Sequence, residues 1–246
     1  MLTPGPLGVL TAIPEEIAAF GAHLTQTGRE VIAGVRVHRG SLDGRPVVVA
    51  ESGIGKVNGA LATAILLDRF ACRGVIFSGV AGGLDPALAI GDLVIADEVV
   101  QHDYGAVADG ALETYRAGAL PFPEFRGDLA FKAESRLIAA ARVRVATDAD
   151  RRSATVHFGR ILTGDSYLGC AVTRQRLFDG FGGKAIDMES GAVAQVAEAF
   201  GVPWLIIRAL SDLAGEDSRL NFAAFVGQAA ERAAALVLSL LPVFDP

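Results

Sequence analysis

Three short segments hold the side chains best suited to chemistry: Glu15-Glu16, Asp187-Met188-Glu189 and Ser211-Asp212. Each puts a carboxylate in or beside a strongly apolar stretch, where a charge costs free energy unless it is paired or used. Glu15-Glu16 follows Leu7-Gly8-Val9-Leu10, and Asp187 and Glu189 stand at a strand-to-helix junction. Asp212 comes just after Val202-Pro203-Trp204-Leu205-Ile206-Ile207, which reads as a strand buried on both faces. Ligands of open α/β sheets bind beyond the carboxyl ends of the strands, so acids at three such ends point to one site. Singly, each acid has a plainer explanation. A carboxylate in a first helical turn complements the macrodipole, which covers Glu15 fully and Glu16, Asp187 and Glu189 in part, while Asp212 suits a helix N-cap or a satisfied buried acid. The coincidence at three strand ends favours a site. Met188, the one methionine besides Met1, would give it an adaptable apolar surface under a sugar or a base.

Other motifs narrow the chemistry. Glu51-Ser52-Gly53-Ile54-Gly55-Lys56-Val57 has a Gly-Lys pair but lacks the loop length and following Ser/Thr of a P-loop. Nor does Gly53-Ile54-Gly55 with Gly59 keep the dinucleotide spacing, so neither ATP nor NAD is expected and the segment reads as a tight strand-to-helix turn. Ser78-Gly79-Val80-Ala81-Gly82-Gly83 is expected to turn the chain after a buried strand, its small residues letting main-chain amides face a small molecule. His23, His38, His102 and His157 are not spaced as metal ligands; His102-Asp103 suggests a local hydrogen-bonded pair, and no Ser or Cys stands in a nucleophile elbow. No cofactor and no metal are expected.

The elements that must position these residues alternate along the chain. Strands are expected over Leu7–Ile13, Gly74–Ser78, Leu93–Val99, Thr155–Leu162 and Val202–Ile207, with a hairpin of Val35–Leu42 and Pro46–Glu51 joined by Asp43-Gly44. Helices are expected from Pro14 to about His23, over Gly55–Phe70, over Leu129–Ala141 capped by Asp128, over Met188–Phe200 and over Phe222–Leu241. Residues 102–126, rich in Gly and Pro, read as a long functional loop or flap. Such alternation predicts a three-layer α/β/α fold around a mostly parallel sheet.

Composition agrees. The 246 residues, with no linker-like stretch, are expected to form one domain over 1–246, and 51% hydrophobic content suits a sheet covered by helices. The longest apolar candidate, Ala192–Ile207, is broken by Glu198 and Pro203, so no membrane span is expected, and Met1-Leu2-Thr3-Pro4 does not read as a signal peptide. Cys72 and Cys170 lie in apolar contexts and read as free buried thiols of a reducing cytoplasm. A net charge of −6, with no basic cluster beyond Arg142-Val143-Arg144 and Arg151-Arg152, argues against nucleic-acid binding.

Seven segments in order then resemble a known family: Ser52-Gly53-Ile54-Gly55-Lys56-Val57, Gly79-Val80-Ala81-Gly82-Gly83-Leu84, Gly91-Asp92, His102-Asp103, Thr163-Gly164-Asp165, Asp187-Met188-Glu189 and Ala209-Leu210-Ser211-Asp212. Together they are similar to the nucleoside phosphorylase/nucleosidase superfamily, and within it to bacterial 5′-methylthioadenosine/S-adenosylhomocysteine nucleosidases. The resemblance implies a three-layer fold with a central twisted, mixed, mostly parallel sheet, and hydrolysis of an adenine N-glycosidic bond. It makes Asp212 the general acid at adenine N7, oriented by Ser211, and Glu16 the general base on the attacking water. Glu189 would grip the ribose hydroxyls and Met188 pack on the ribose, while Tyr167 and Leu168 hold the base. Phe222 would close the base pocket and Ile54 line the 5′ side, with Val80, Ala81 and Gly82 against the substrate. Val80 stands where some relatives carry a Ser near the water, and residues 104–125 follow the family pattern poorly.

A phosphorylase would need arginines for a dianion near Thr11–Glu16 or Phe77–Val80, and neither region has one. A silent nucleoside-binding protein would be expected to lack Glu16 or Asp212. The expectation is a cytoplasmic, cofactor-free nucleosidase and homodimer, with methylthioadenosine, S-adenosylhomocysteine, 5′-deoxyadenosine and futalosine-like substrates all open.

Overall fold

Val, Ile, Leu and Ala dominate the strands because most of them are covered on both faces. The computed structural model describes residues 5–125, 127–147 and 154–245; the Met1-Leu2-Thr3-Pro4 segment, Arg126 and the Arg151-Arg152 pair lie outside them. In chain order the larger elements are β1 (Leu7–Thr11), α1 (Pro14–Ala18), β2 (Leu24–Ile32), β3 (Val35–Leu42), β4 (Arg45–Glu51), α2 (Lys56–Phe70), β5 (Val75–Gly83) and β6 (Leu93–Gln101). After β6 come β7 (Gly105–Ala108), β8 (Ala111–Thr114), β9 (Phe131–Lys132), α3 (Ser135–Thr147), β10 (Val156–Thr163), α4 (Ala171–Phe181), β11 (Ala185–Asp187), α5 (Ser190–Ala199), β12 (Trp204–Asp212) and α6 (Ser218–Leu240).

One mixed sheet of 10 strands has the order β11-β10-β6-β12-β5-β1-β4-β3-β2, with β9 on β6. Its central strands run mostly parallel: β4, β1, β5 and β12 pair in parallel, as do β6, β10 and β11. β11 also pairs antiparallel with the far end of β5, Ala185 with Gly83 and Ile186 with Gly82. That second pairing curls five strands into a closed ring, and it brings the ends of β5, β11 and β12 together. Alternate strand residues face opposite layers. Leu10, Phe77 and Ile206 pack with Ala62, Leu66, Val193 and Ala197 of α2 and α5, whereas Val9, Ile76 and Leu205 pack with Ala233, Val237 and Leu240 of α6.

Several expectations need correction. Residues 79–83 do not turn the chain; they continue β5, because glycine and alanine let β11 and β12 close in on both sides. β12 likewise runs on to Asp212. α1 ends at Ala18, well short of His23, and β2, an edge strand with alternating half-buried and exposed positions and a bulge near Gly28, lay between the expected elements. α4 was missed because only Leu177 of it is buried, leaving no apolar stripe to read. Asp128 does not cap α3; its carboxylate accepts from Ala130 N, and β9 intervenes. Residues 102–125 carry the β7–β8 hairpin and a 3-10 turn at Pro123–Phe125. Cys170 is exposed, at the N-cap of α4, while Cys72 is buried. By length and composition α6 and the turn after it would suffice to cross a bilayer, against the expectation for the chain; here its Ala-rich face covers β5 and β12 as a core helix.

Candidate active site

Pro14 opens α1 directly after β1, and the first helical turn swings Glu16 back over the strand end. The carboxylate fills a nest of main-chain amides. Oε2 accepts from Ala12 N at 2.6 Å and Ile13 N at 3.2 Å, and Oε1 accepts from Val80 N on β5 at 3.0 Å. Burial pushes the Glu16 carboxyl above its ordinary range, with Arg208 and the three amides pulling the other way.

Asp212 owes its position to a bulge. β5 and β12 keep register to Leu210 opposite Ala81, but Gly82 then faces Asp212, so Ser211 is the extra residue that re-aims the next side chain. Asp212 Oδ1 accepts from Ala214 N at 2.8 Å, and Oδ2 accepts from the Ser211 hydroxyl at 3.0 Å. Its carboxyl too is raised, burial outweighing both hydrogen bonds.

At the end of β11 the neighbouring acids divide their work. Asp187 Oδ1 accepts from Ser190 N at 3.2 Å at the start of α5, so Asp187 and not Glu189 serves that helix end. Glu189 reaches out to the turn before α2, where Oε1 accepts from Gly55 N at 2.8 Å. That turn needs glycine, since Gly53 and Gly55 have φ of 82° and 100°. Burial and the charge of Asp187 lift Glu189 to about 7, against the pull of Arg208.

A carboxyl whose affinity for a proton is higher folded than unfolded destabilises the fold as pH rises through that range. For Glu189 the loss runs from about 4.5 to about 7. Glu189→Gln, which keeps an acceptor for Gly55 N, should therefore melt a few degrees above the parent near pH 8, and the gap should narrow near pH 5. Thermal scans at the two pH values check this; a gap independent of pH would show that the charge is not held at a cost.

Arg208 escaped the sequence reading, although a lone arginine inside Trp204–Asp212 is itself a signal that a buried cation must find counter-charges. It is fully buried, and its guanidinium lies 3.7 Å from the centre of the Phe77 ring. Nε donates to Asp187 Oδ2 at 2.8 Å, and Nη2 contacts the same oxygen at 2.8 Å and Glu189 Oε2 at 3.5 Å. Among the described residues Nη1 has no hydrogen-bond partner. A Cβ at Gly79 would collide with Arg208 Nη1 and Glu16 Oε1, so only glycine lets the cation and the carboxylate lie side by side on β5.

Glu16, Asp187, Glu189 and Asp212 border one cavity of about 240 Å³, and Arg208 lies behind its wall. Glu15 does not line it, whereas every residue to which the resemblance gives a role does: Glu16 at the start of α1, Ile54 before α2, and Val80, Ala81 and Gly82 on β5. Tyr167 and Leu168 come from the loop after β10, Met188 and Glu189 from the β11–α5 turn, Ser211 and Asp212 from β12, and Phe222 from α6. Ala12, Ile13, Ser166, Ile186 and Asp187 also line it. Tyr167 and Phe222 meet edge to face, with centroids 6.4 Å apart, forming an aromatic corner near Asp212. The expected His102–Asp103 bond is absent: Asp103 accepts instead from Lys56 Nζ at 2.7 Å and Asp165 N at 2.9 Å. Among the described residues no group of His, Cys, Asp or Glu is arranged to hold a metal ion.

Acids at three strand ends thus border one slot with an aromatic wall. A family model, the phosphorylase superfamily, matches residues 6–242. The 5′-methylthioadenosine/S-adenosylhomocysteine nucleosidase of Mycobacterium tuberculosis is 45% identical, covering 96% of this chain and 97% of its own. The nucleosidase of that kind from S. pneumoniae, solved with a transition-state inhibitor, superposes with a TM-score of 0.85 at 32% identity, over 98% of this chain and 100% of its own. Futalosine hydrolase of Helicobacter pylori superposes with a TM-score of 0.83 at 30% identity, over 97% of each chain. The chain belongs to the phosphorylase superfamily and, within it, to the methylthioadenosine/S-adenosylhomocysteine nucleosidases.

Proposed function

We propose that this protein hydrolyses the N-glycosidic bond of 5′-methylthioadenosine and S-adenosylhomocysteine, releasing adenine and a 5-thioribose. The observation that carries water rather than phosphate as nucleophile is the filled nest at Glu16. The amides of Ala12, Ile13 and Val80, which an anion would use, already hold a carboxylate. Arg208 comes nearest to a phosphate ligand, but two of its nitrogens are engaged by Asp187, and a dianion would face Glu16. Identity of 45% to the methylthioadenosine/S-adenosylhomocysteine enzyme, against 30% to the futalosine hydrolase, favours the adenine substrates.

The roles are those that the family resemblance implies, and the position of these residues around one cavity supports them. Adenine becomes a good leaving group once N7 is protonated, and Asp212, with its raised proton affinity and Ser211 to steer it, supplies that proton. Glu16, whose proton affinity is raised by burial, takes a proton from the attacking water. Glu189 binds the ribose hydroxyls and, with Glu16, places negative charge beside the oxocarbenium-like transition state. Met188 packs under the ribose, Tyr167, Leu168 and Phe222 enclose the base, and Ile54, 55% exposed, lies on the 5′ side at the mouth.

We read the working form as a homodimer. Val57, Val107, Leu120, Phe122 and Phe125 are large apolar side chains left exposed on one chain. Sedimentation of the purified protein reads this directly.

The decisive assay incubates the protein with methylthioadenosine, S-adenosylhomocysteine, adenosine, inosine and futalosine, with and without phosphate. Free adenine at a rate independent of phosphate is the expected result. A sugar 1-phosphate that forms only with phosphate would overturn the role given to Glu16.

A further inference from the structure

Asp187 has no acceptor capacity left for a ligand. Oδ1 accepts from Thr163 Oγ1 at 2.7 Å and from Ser190 N at 3.2 Å, while Oδ2 takes the Ser190 hydroxyl and the Nε edge of Arg208. An ionised carboxylate offers about four lone-pair directions, and all are occupied by protein. Although it borders the cavity, this acid is turned away from whatever enters. Its supports are themselves fixed, since Thr163 Oγ1 accepts from Gly191 N at 2.8 Å. Thr163, Ser190 and Arg208 are all fully buried.

Across the pair the situation reverses. The guanidinium is clamped by Asp187 on its Nε/Nη2 edge and by the Phe77 ring on one face. Among the described residues only Nη1 of the guanidinium has no hydrogen-bond partner; it is fully buried and lies beside Glu16 across Gly79. A buried donor without an acceptor is costly, and the anionic group that lies beside Nη1 is the Glu16 carboxylate, whose proton affinity Arg208 lowers. A guanidinium on a long side chain finds one orientation only when its fork is matched by an acceptor of fixed geometry.

We propose that Asp187 is the positioning residue that fixes the Arg208 guanidinium so that Nη1 is held beside Glu16. Asp187 acts through Arg208 and touches neither substrate nor water. This rests on the nucleosidase reading.

The test is a double-mutant cycle of Asp187→Asn and Arg208→Lys, read as kcat and KM for methylthioadenosine, together with the Arg208 Nε–H signal by NMR. Asp187→Asn should lower kcat by roughly 10- to 100-fold with KM within a few-fold. The double variant should lose no more than Arg208→Lys alone, because both remove the same interaction. In the parent the Nε–H proton should exchange slowly with solvent, and in Asp187→Asn it should shift and exchange faster. Losses that multiply, or a parental kcat in Asp187→Asn, would overturn the proposal. If Asp187→Asn does not fold, Thr163→Val removes one hydroxyl donor to Asp187, makes no contact with Arg208 and leaves every charge. Thr163→Val should lower kcat several-fold, and an unchanged kcat would be equally fatal. A parent that releases no adenine but keeps the protected Nε–H, lost in Asp187→Asn, refutes the nucleosidase reading and leaves the clamp standing.

Discussion

Asp212→Asn should lower kcat on methylthioadenosine by about 10²- to 10⁴-fold, the range that a positioned general acid contributes. The fold should be untouched. Asn keeps an oxygen for Ala214 N and turns its amide to the Ser211 hydroxyl, so both bonds seen at Asp212 have replacements. What Asn lacks is the proton. Burial holds the Asp212 carboxyl above its usual range, which favours the protonated form that a general acid needs. A leaving group that departs without protonation separates this role from binding. On a p-nitrophenyl 5-thioriboside the same variant should turn over at close to the parent rate. If it is as slow on that substrate as on methylthioadenosine, Asp212 acts on something other than the leaving group, and the assignment fails.

The three acids were legible because each breaks an apolar run, and burial makes such a break expensive. What the sequence could not show was how they share their neighbours. Asp187 and Glu189 are two residues apart and alike in type, yet one is spent on Arg208 and α5 while the other faces the cavity. The choice is made by partners 20 or more residues away, Thr163 on β10 and Arg208 on β12, which local pattern does not report. Arg208 was overlooked for the same reason, since its meaning depends on strands that meet only through the β5–β11 pairing. The glycines of β5 read as a turn because a glycine run ordinarily breaks a strand; here they let neighbours approach where a Cβ would not fit, which is a property of the packed sheet. α4 and β2 carry little buried surface, and periodicity is silent where burial is slight.

Glu16→Gln should also lower kcat by about 10²- to 10⁴-fold, but on the p-nitrophenyl substrate as well as on methylthioadenosine. Water must be activated whichever group leaves, so the two substrates that part company at Asp212 should fall together here. The side chain sits in a nest built for an acceptor. Gln offers one oxygen to the three amides that now serve the carboxylate, so it must set its NH₂ against Val80 N or against Ala12 N and Ile13 N. Turning toward Val80 loses one bond rather than two. It also puts a donor beside Arg208 Nη1, where Oε1 had been. Against this, removing a charge that burial already disfavours is a gain, so the net change in stability should stay within about 1–2 kcal/mol. Catalysis should therefore fall far more than stability. Adding phosphate should not restore turnover, because the Gln still fills the nest. A Glu16→Gln protein that keeps most of its activity on both substrates would mean that the water is held by Arg208 and Glu189 without a base at the end of β1. The Asp187–Arg208 clamp would then be the principal determinant of where the nucleophile sits.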